Sequence, residues 1–253
     1  MQVLTDASDP NMANTILAYT TSILQDYQQR LASGPAGGVR IVPEVRMRYN
    51  PELKSVFLFV PGLIALILML VCALMTSITI TREKETGTME VLLVSPLKPA
   101  QIIVGKVIPY LVISLAIVSV ILTLARAVFQ VPMRGSLTLL MLECLLFIGC
   151  ALSLGILIST RSRTQQAAMM VSLSGLLLPT VILSGFIFPV SSMPLPLQMV
   201  SHIVPAKWFL IIVRGLMIKG VGFAEIWQET LVLAGMTLFF LAVSVKNFND
   251  RLA

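Results

Sequence analysis

Of the 253 residues, 57% are hydrophobic and only 12% are charged, with a mean hydropathy of +0.91. Soluble domains carry about 25% charged residues, so this composition excludes an ordinary water-soluble globule and describes a membrane protein. The formal net charge of +6 arises beyond residue 54, because the first 54 residues hold five basic and five acidic side chains; charge so placed marks orientation in a bilayer, not nucleic-acid binding.

Residues 1–54 read as soluble structure. Val3-Leu4 looks like the end of a strand, Asp9 is placed to cap a helix and Pro10 to open it. Ile16, Thr20, Ile23, Tyr27 and Leu31 recur at three-to-four spacing, predicting an amphipathic helix to about Leu31. The Ser33–Gly38 loop ends it, and residues 39–49 then alternate as a half-buried strand, with Pro43 arguing for an edge. One helix and one or two strands supply no core of their own, so this segment is expected to be part of a larger α+β domain.

From Ser55 the composition changes. Five spans are predicted: about Ser55–Ile80, Ile102–Ala125, Ser136–Ser159, Ala167–Phe188, and one from near Trp227 to before Lys246. Lys106 is expected to snorkel to the head groups, and Pro179 is tolerable inside the fourth span. Between the last two spans, Pro189–Gly222 is broken by prolines and by Lys207, Arg214 and Lys219. It reads as two short helices, Leu195–Val204 and Ala206–Lys219, lying at the interface or dipping in and returning.

The stretch Thr81–Pro99, TREKETGTMEVLLVSPLKP, gathers Arg82, Glu83, Lys84, Glu85 and Glu90 into a loop between the first two spans. Gly87 breaks the preceding helix, Thr88 is an N-cap, and Glu90 suits a first turn. Met89, Leu92 and Leu93 form one apolar face, and Ser95-Pro96 ends it. Two readings stay open: an amphipathic helix resting on lipid, or a docking surface for a soluble partner. Grouping residues 81–106 with residues 159–166 and 246–253 gives eight basic residues in 42 positions, against ten in 102 for residues 1–54, 126–135 and 189–226. The denser side is assigned to the cytoplasm, with the C-terminus, while the N-terminal segment and the proline-rich hairpin lie outside.

No catalytic or metal-binding constellation is evident. His202 stands alone, Cys72, Cys144 and Cys150 fall within apolar runs, and Ser174-Gly175 and Ser184-Gly185 read as helix-packing positions. The phosphate-binding GxxxxGK[ST] loop is absent, so an energy source must be a partner or an ion gradient. Glu143 is the one acidic residue well inside a span. Such a carboxyl pairs, faces the bundle interior or takes a proton; the candidates are a pair with Arg126 or Arg134, or a substrate or proton site.

TREKETGTMEVLLVSPLKPAQIIVGK and the later ILSGFIFPVSSMPLPLQMVSHIVPAKWF resemble the permease subunit of ABC-2 type exporters, in the subgroup with a large extracytoplasmic domain after the first helix. The resemblance covers essentially the whole chain. It implies that Arg82, Glu83, Glu85, Gly87, Thr88, Glu90, Leu92, Ser95 and Pro96, with Met89 filling a pocket, contact an ABC ATPase subunit. It also implies that Pro189, Met193, Pro194 and Pro205 lie in an outer re-entrant hairpin that helps close the exit. The partners so implied are the ATPase, a second permease copy or a related permease, and a periplasmic adaptor as a further candidate; ATP and Mg would sit on the ATPase, with no cofactor on this chain.

The expected architecture is thus an α-helical integral membrane protein of a bacterial inner membrane. It has five transmembrane helices, a re-entrant helical hairpin and a partial α+β extracytoplasmic segment, with domains at 1–54 and 55–253. The resemblance implies six helices, and no signal-peptide pattern opens the sequence. An upstream helix and the start of the outer domain are therefore expected to be missing. Rival functions are a gradient-driven transporter using Glu143 and a non-transporting scaffold; no cargo can be read.

Overall fold

The computed structural model describes residues 2–8, 10–32, 42, 44–88 and 99–249. The chain divides into two compact units, residues 1–59 and 60–253.

In the first unit, β1 (Gln2–Asp6) and β2 (Glu44–Arg48) pair in parallel, from Gln2 opposite Glu44 to Asp6 opposite Arg48. A parallel pair needs a long crossover, and α1 (Pro10–Ala32) lies within it. Pro10 opens α1 as expected; Asp9 lies outside the described residues. The apolar face of α1 is bare, with Ile16 47%, Ile23 66% and Tyr27 54% exposed. On β2 only Met47 is half-buried, so the expected half-buried strand face is uncovered. The reason is size: two strands and one helix have no second layer to pack against. Asn50 closes the unit, its side chain accepting from the Lys54 amide at 2.9 Å and donating to the Lys54 carbonyl at 3.1 Å.

Among the described residues, five helical stretches are long and apolar enough to cross a membrane. They are α2 (Val56–Glu85), α3 (Pro99–Ala127), α4 (Leu137–Arg161), a broken stretch of α5 (Gln165–Ser172), a π turn (Leu173–Leu177) and α6 (Leu178–Leu183), and α9 (Phe223–Asn249). Between the last two, α7 (Leu195–Ser201) and α8 (Pro205–Arg214), the latter prolonged by a π turn (Gly215–Lys219), meet at 82°.

Helices α2 and α4 are the centre, with 61% of each apolar window buried against 17% or less in the other three spans. Glycine lets them approach: a Cβ on Gly155 of α4 would lie 2.6 Å from the Ala73 carbonyl oxygen of α2. Helix α9 runs along α4, where the Ser244 hydroxyl donates to the Ser153 carbonyl at 3.0 Å. The hairpin packs on α4 through Phe147 and Phe209, whose parallel rings are 4.0 Å apart.

Four boundaries differ from the sequence reading. The first span does not yield to a loop at Thr81 but stays helical to Glu85, since Arg, Glu and Lys are strong helix formers. The fourth covers residues 165–183 rather than 167–188: Thr164 caps its start, and the Ser184 hydroxyl turns back to the Thr180 carbonyl before Gly185 adopts φ +82°. The hairpin arms end at Ser201 and begin at Pro205, and the last helix starts at Phe223 and passes Lys246 to Asn249. Gly175, read as a packing position, has open space where a Cβ would stand; among the described residues the approaches under 3.0 Å fall at Gly62, Gly135, Gly155 and Gly220.

Candidate functional site

The last turn of α2 gathers polar contacts to three other helices. Glu83 forms an ion pair with Lys106 of α3. The Lys84 ammonium donates to the Ser159 carbonyl near the end of α4. One oxygen of Glu85 accepts both the backbone amide of Gln165, at 2.9 Å, and its side-chain amide, at 3.0 Å. Gln165 is the first residue of α5, where Thr164 also accepts from the Ala167 amide at 3.2 Å. A carboxylate there satisfies an otherwise unpaired helical amide and complements the helix dipole. Three consecutive side chains thereby tie α2 to α3, α4 and α5. Just inside this turn, Ile80 and Ile156 pack with Val107 and Val245 from two further helices.

Beyond the turn, the Thr86 hydroxyl donates to the Arg82 carbonyl at 2.9 Å and that of Thr88 to the Glu83 carbonyl at 3.4 Å. Gly87, at φ +74°, ends the helix as expected. Thr88 thus caps the helix before it; the segment it was expected to open, with Met89, Glu90, Leu92, Ser95 and Pro96, lies outside the described residues. Lys106, expected to reach the head groups, is paired with the Glu83 carboxylate. Glu83 is engaged by Lys106 and one oxygen of Glu85 by Gln165, while among the described residues Arg82, Arg161, Arg163 and Lys246 are exposed cations at this end without an ion pair.

The opposite end is built from backbone. The Arg134 and Gly135 amides donate to the Met217 and Leu216 carbonyls at 3.2 and 3.0 Å, fixing the loop after α3 against the π turn that closes the hairpin. Gly220 ends that turn in the left-handed region, at φ +72°. The prolines of the hairpin act as helix punctuation: Pro189 and Pro194 flank a short 3-10 turn around Val190–Ser192 and Met193, and Pro205 opens α8. Gln198 donates to the Met193 carbonyl at 2.8 Å. Lys207 is buried, donating to the Ser201 hydroxyl at 3.2 Å with its ammonium 5.2 Å from the Trp208 ring centre. His202 stays exposed, its Nδ1 paired with the Gln198 carbonyl.

The model for ABC-2 family transporter proteins matches residues 1–246. The chain belongs to this family. It is 34% identical over 247 residues to a probable multidrug ABC transporter permease, YbhS, of Escherichia coli K12, covering 97% of this chain and 64% of that protein. It is 32% identical over 229 residues to YbhR of the same organism, also named a probable multidrug ABC transporter permease, covering 90% of this chain and 62% of the relative. A third relative is ABC transporter G family member 20 of Dictyostelium discoideum, 32% identical over 206 residues, or 80% of this chain and 28% of that one. The chain thus spans less than two thirds of the length of these relatives.

Within this ABC-2 protein, a multi-pass membrane protein, Glu143 lies inside α4 at 3% exposure. Its expected pair with Arg126 or Arg134 is not the contact formed. The Thr230 hydroxyl of α9 donates to its Oε1 at 2.8 Å, and Oε2 is buried without a hydrogen-bond partner. The carboxyl therefore faces the helix packed along α4. No group of three or more metal-ligating side chains occurs among the described residues.

Sequence reasoning reached the acidic half of the α2 turn and missed its partners. Lys84 was visible inside the same charged stretch. Ser159 acts through its carbonyl and Gln165 through an amide, and neither leaves a residue-type signal. Lys106 carried one: a lone lysine a turn inside an apolar helix, on the same side of the bilayer as three glutamates.

Proposed function

We propose that this chain is the membrane-spanning permease subunit of an ATP-driven exporter. Two copies, or one copy and a related permease, would form the pathway, and a separate ABC ATPase carrying ATP and Mg would dock at residues 82–96. The charged end would face the cytoplasm with the C-terminus, and residues 1–54 and the hairpin would lie outside a bacterial inner membrane. There Pro189, Met193, Pro194 and Pro205 would help close the exit, within reach of a periplasmic adaptor. The observation that carries this reading is the last turn of α2. Force applied to the segment after Gly87 meets a turn already joined to α3, α4 and α5, so a push there moves helices as a body. The names of the relatives support multidrug cargo.

A second reading has its own support: a gradient-driven transporter would protonate Glu143, which has one unpartnered oxygen in the bundle. Proteoliposomes separate the two. With the ABC ATPase that copurifies with this chain, ethidium transport should require ATP, and the double variant Glu83→Ala, Glu85→Ala should stay folded and hydrolyse ATP without transport. Transport that persists without the ATPase and collapses with the proton gradient overturns the leading reading.

A further inference from the structure

A groove of about 590 Å³ opens between α3 and α4, walled by Leu122, Arg126 and Ala127 of α3, Met133 of the connecting loop, and Leu137 and Met141 of α4. Ser119 and Thr123 complete the wall, and each donates its hydroxyl at 2.7 Å to the carbonyl four residues earlier in α3. Arg126 is thus the wall's remaining side-chain donor. It is exposed, no carboxylate pairs with it among the described residues, and no acidic side chain lies on the wall. Arg126 lies one residue before the end of its span, and Leu137 opens the next. Both stand at the level where the apolar core gives way to head groups. From there the groove descends: Ser119 lies about 10 Å below Arg126 along α3, and Met141 about 6 Å below Leu137 along α4. The groove has a cation at its mouth and a largely apolar floor reaching about two helical turns into the hydrocarbon.

We propose that this groove holds an anionic glycerophospholipid, with its phosphate on the Arg126 guanidinium and one acyl chain lying over Leu122 and Met141. A cation near the end of α3 complements the helix dipole wherever its side chain points. Its fork of N–H donors is satisfied by an anion, and a phosphate diester can accept two parallel hydrogen bonds from it. Inorganic phosphate would leave the floor bare. A phospholipid supplies the anion and the apolar body together, at the depth where each is needed. Phosphatidylcholine and phosphatidylethanolamine carry a cation of their own beside the phosphate, which Arg126 repels, whereas phosphatidylglycerol carries none. The volume lies within the roughly 300–1,000 Å³ usual for ligand pockets. ATP coupling has no part in this binding, and its test needs no ATPase.

The experiment is photolabelling of the full chain, one copy per phosphatidylcholine nanodisc, with a phosphatidylglycerol bearing a diazirine in one acyl chain. Label should fall on residues 119–141, saturate, and be competed by unlabelled phosphatidylglycerol but not by inorganic phosphate. Arg126→Gln should weaken saturable labelling about three- to tenfold, and Arg126→Lys, which keeps the charge, should retain most of it. A phosphatidylcholine with the same diazirine should label the wild type and the Gln variant alike. Ser119→Trp, at an exposed position on the floor, should block the acyl chain and abolish saturable labelling with Arg126 intact. Label spread evenly over the exposed faces of α3 and α9, equal saturable labelling by the two lipids, or a Gln variant that labels like the wild type overturns the proposal. So does loss of the label in nanodiscs holding two copies, which would make a second copy of the chain the occupant. Should Ser119→Trp fail to elute as a single species, the Arg126 pair and the two lipids decide.

Discussion

The two ends of the bundle are held by different chemistry. At the charged end, side chains do the joining: Glu83 to Lys106, Lys84 to Ser159, Glu85 to Gln165. At the other, the backbone of Arg134 and Gly135 bonds to that of Met217 and Leu216, at a separation that only glycine permits. Side-chain ties between long, partly solvated groups can break and reform as helices slide. A backbone seam with no room for a Cβ has one arrangement or none. On the coupling proposed above, the first end passes on movement and the second keeps its shape.

The sharpest way to break this contrast is to add one methyl group at each end. A Cβ on Gly135 would sit 2.6 Å from the Leu216 carbonyl oxygen and 3.2 Å from its carbon, and backbone cannot swing aside. Gly135→Ala should cost about 1–3 kcal/mol, seen as a lower melting temperature in detergent. Gly105, beside Lys106 inside α3, has nothing within 4 Å of a Cβ. There Gly105→Ala should be neutral or stabilise by up to about 1 kcal/mol through helix propensity. Equal losses at both sites would remove the distinction.

Next in size is the Glu83–Lys106 pair. Its side chains are 26% and 16% exposed, between the surface and the buried case. A double-mutant cycle of Glu83→Ala and Lys106→Ala, read by thermal unfolding, should give a coupling on the order of 1 kcal/mol. A coupling of zero would mean that the charged end is not held by this contact.

What the sequence made legible follows the same division. Uninterrupted apolar length marked all five spans, since a bilayer demands it whatever the helices pack against. Proline placement located the hairpin, with Pro205 at the start of α8. The centre was not legible: Gly155 fits α2 because Ala73 lies opposite, and Gly62 because the Phe186 ring fills the space where its side chain would be. Those facts belong to pairs of helices, and one helix's sequence does not contain them. Glu143 was picked out by its type, but its partner Thr230 is 87 residues away and uncharged, while charge matching pointed to arginines. The extent of α2 was misjudged because charge was taken as the end of helix as well as the end of the apolar core, whereas Arg82–Glu85 ends only the second.

The smallest expected effect tests whether the ties at the charged end act locally. Glu85 is exposed and stands outside the apolar core, so its removal should leave global stability nearly unchanged. Its carboxylate nevertheless accepts the Gln165 amide, one of the first four amides of a helix, which have no partner within the helix itself. In Glu85→Ala that amide would depend on water, and the first turn of α5 would lose a negative charge at its dipole. Hydrogen exchange in residues 164–168 should therefore quicken several-fold, while exchange in the middle of α4 stays at the wild-type rate. Glu85→Gln, which keeps an acceptor oxygen but no charge, should fall between the two. Faster exchange throughout α4 would instead mean that this turn of α2 supports the whole bundle, and the proposed division between a yielding end and a fixed one would fail.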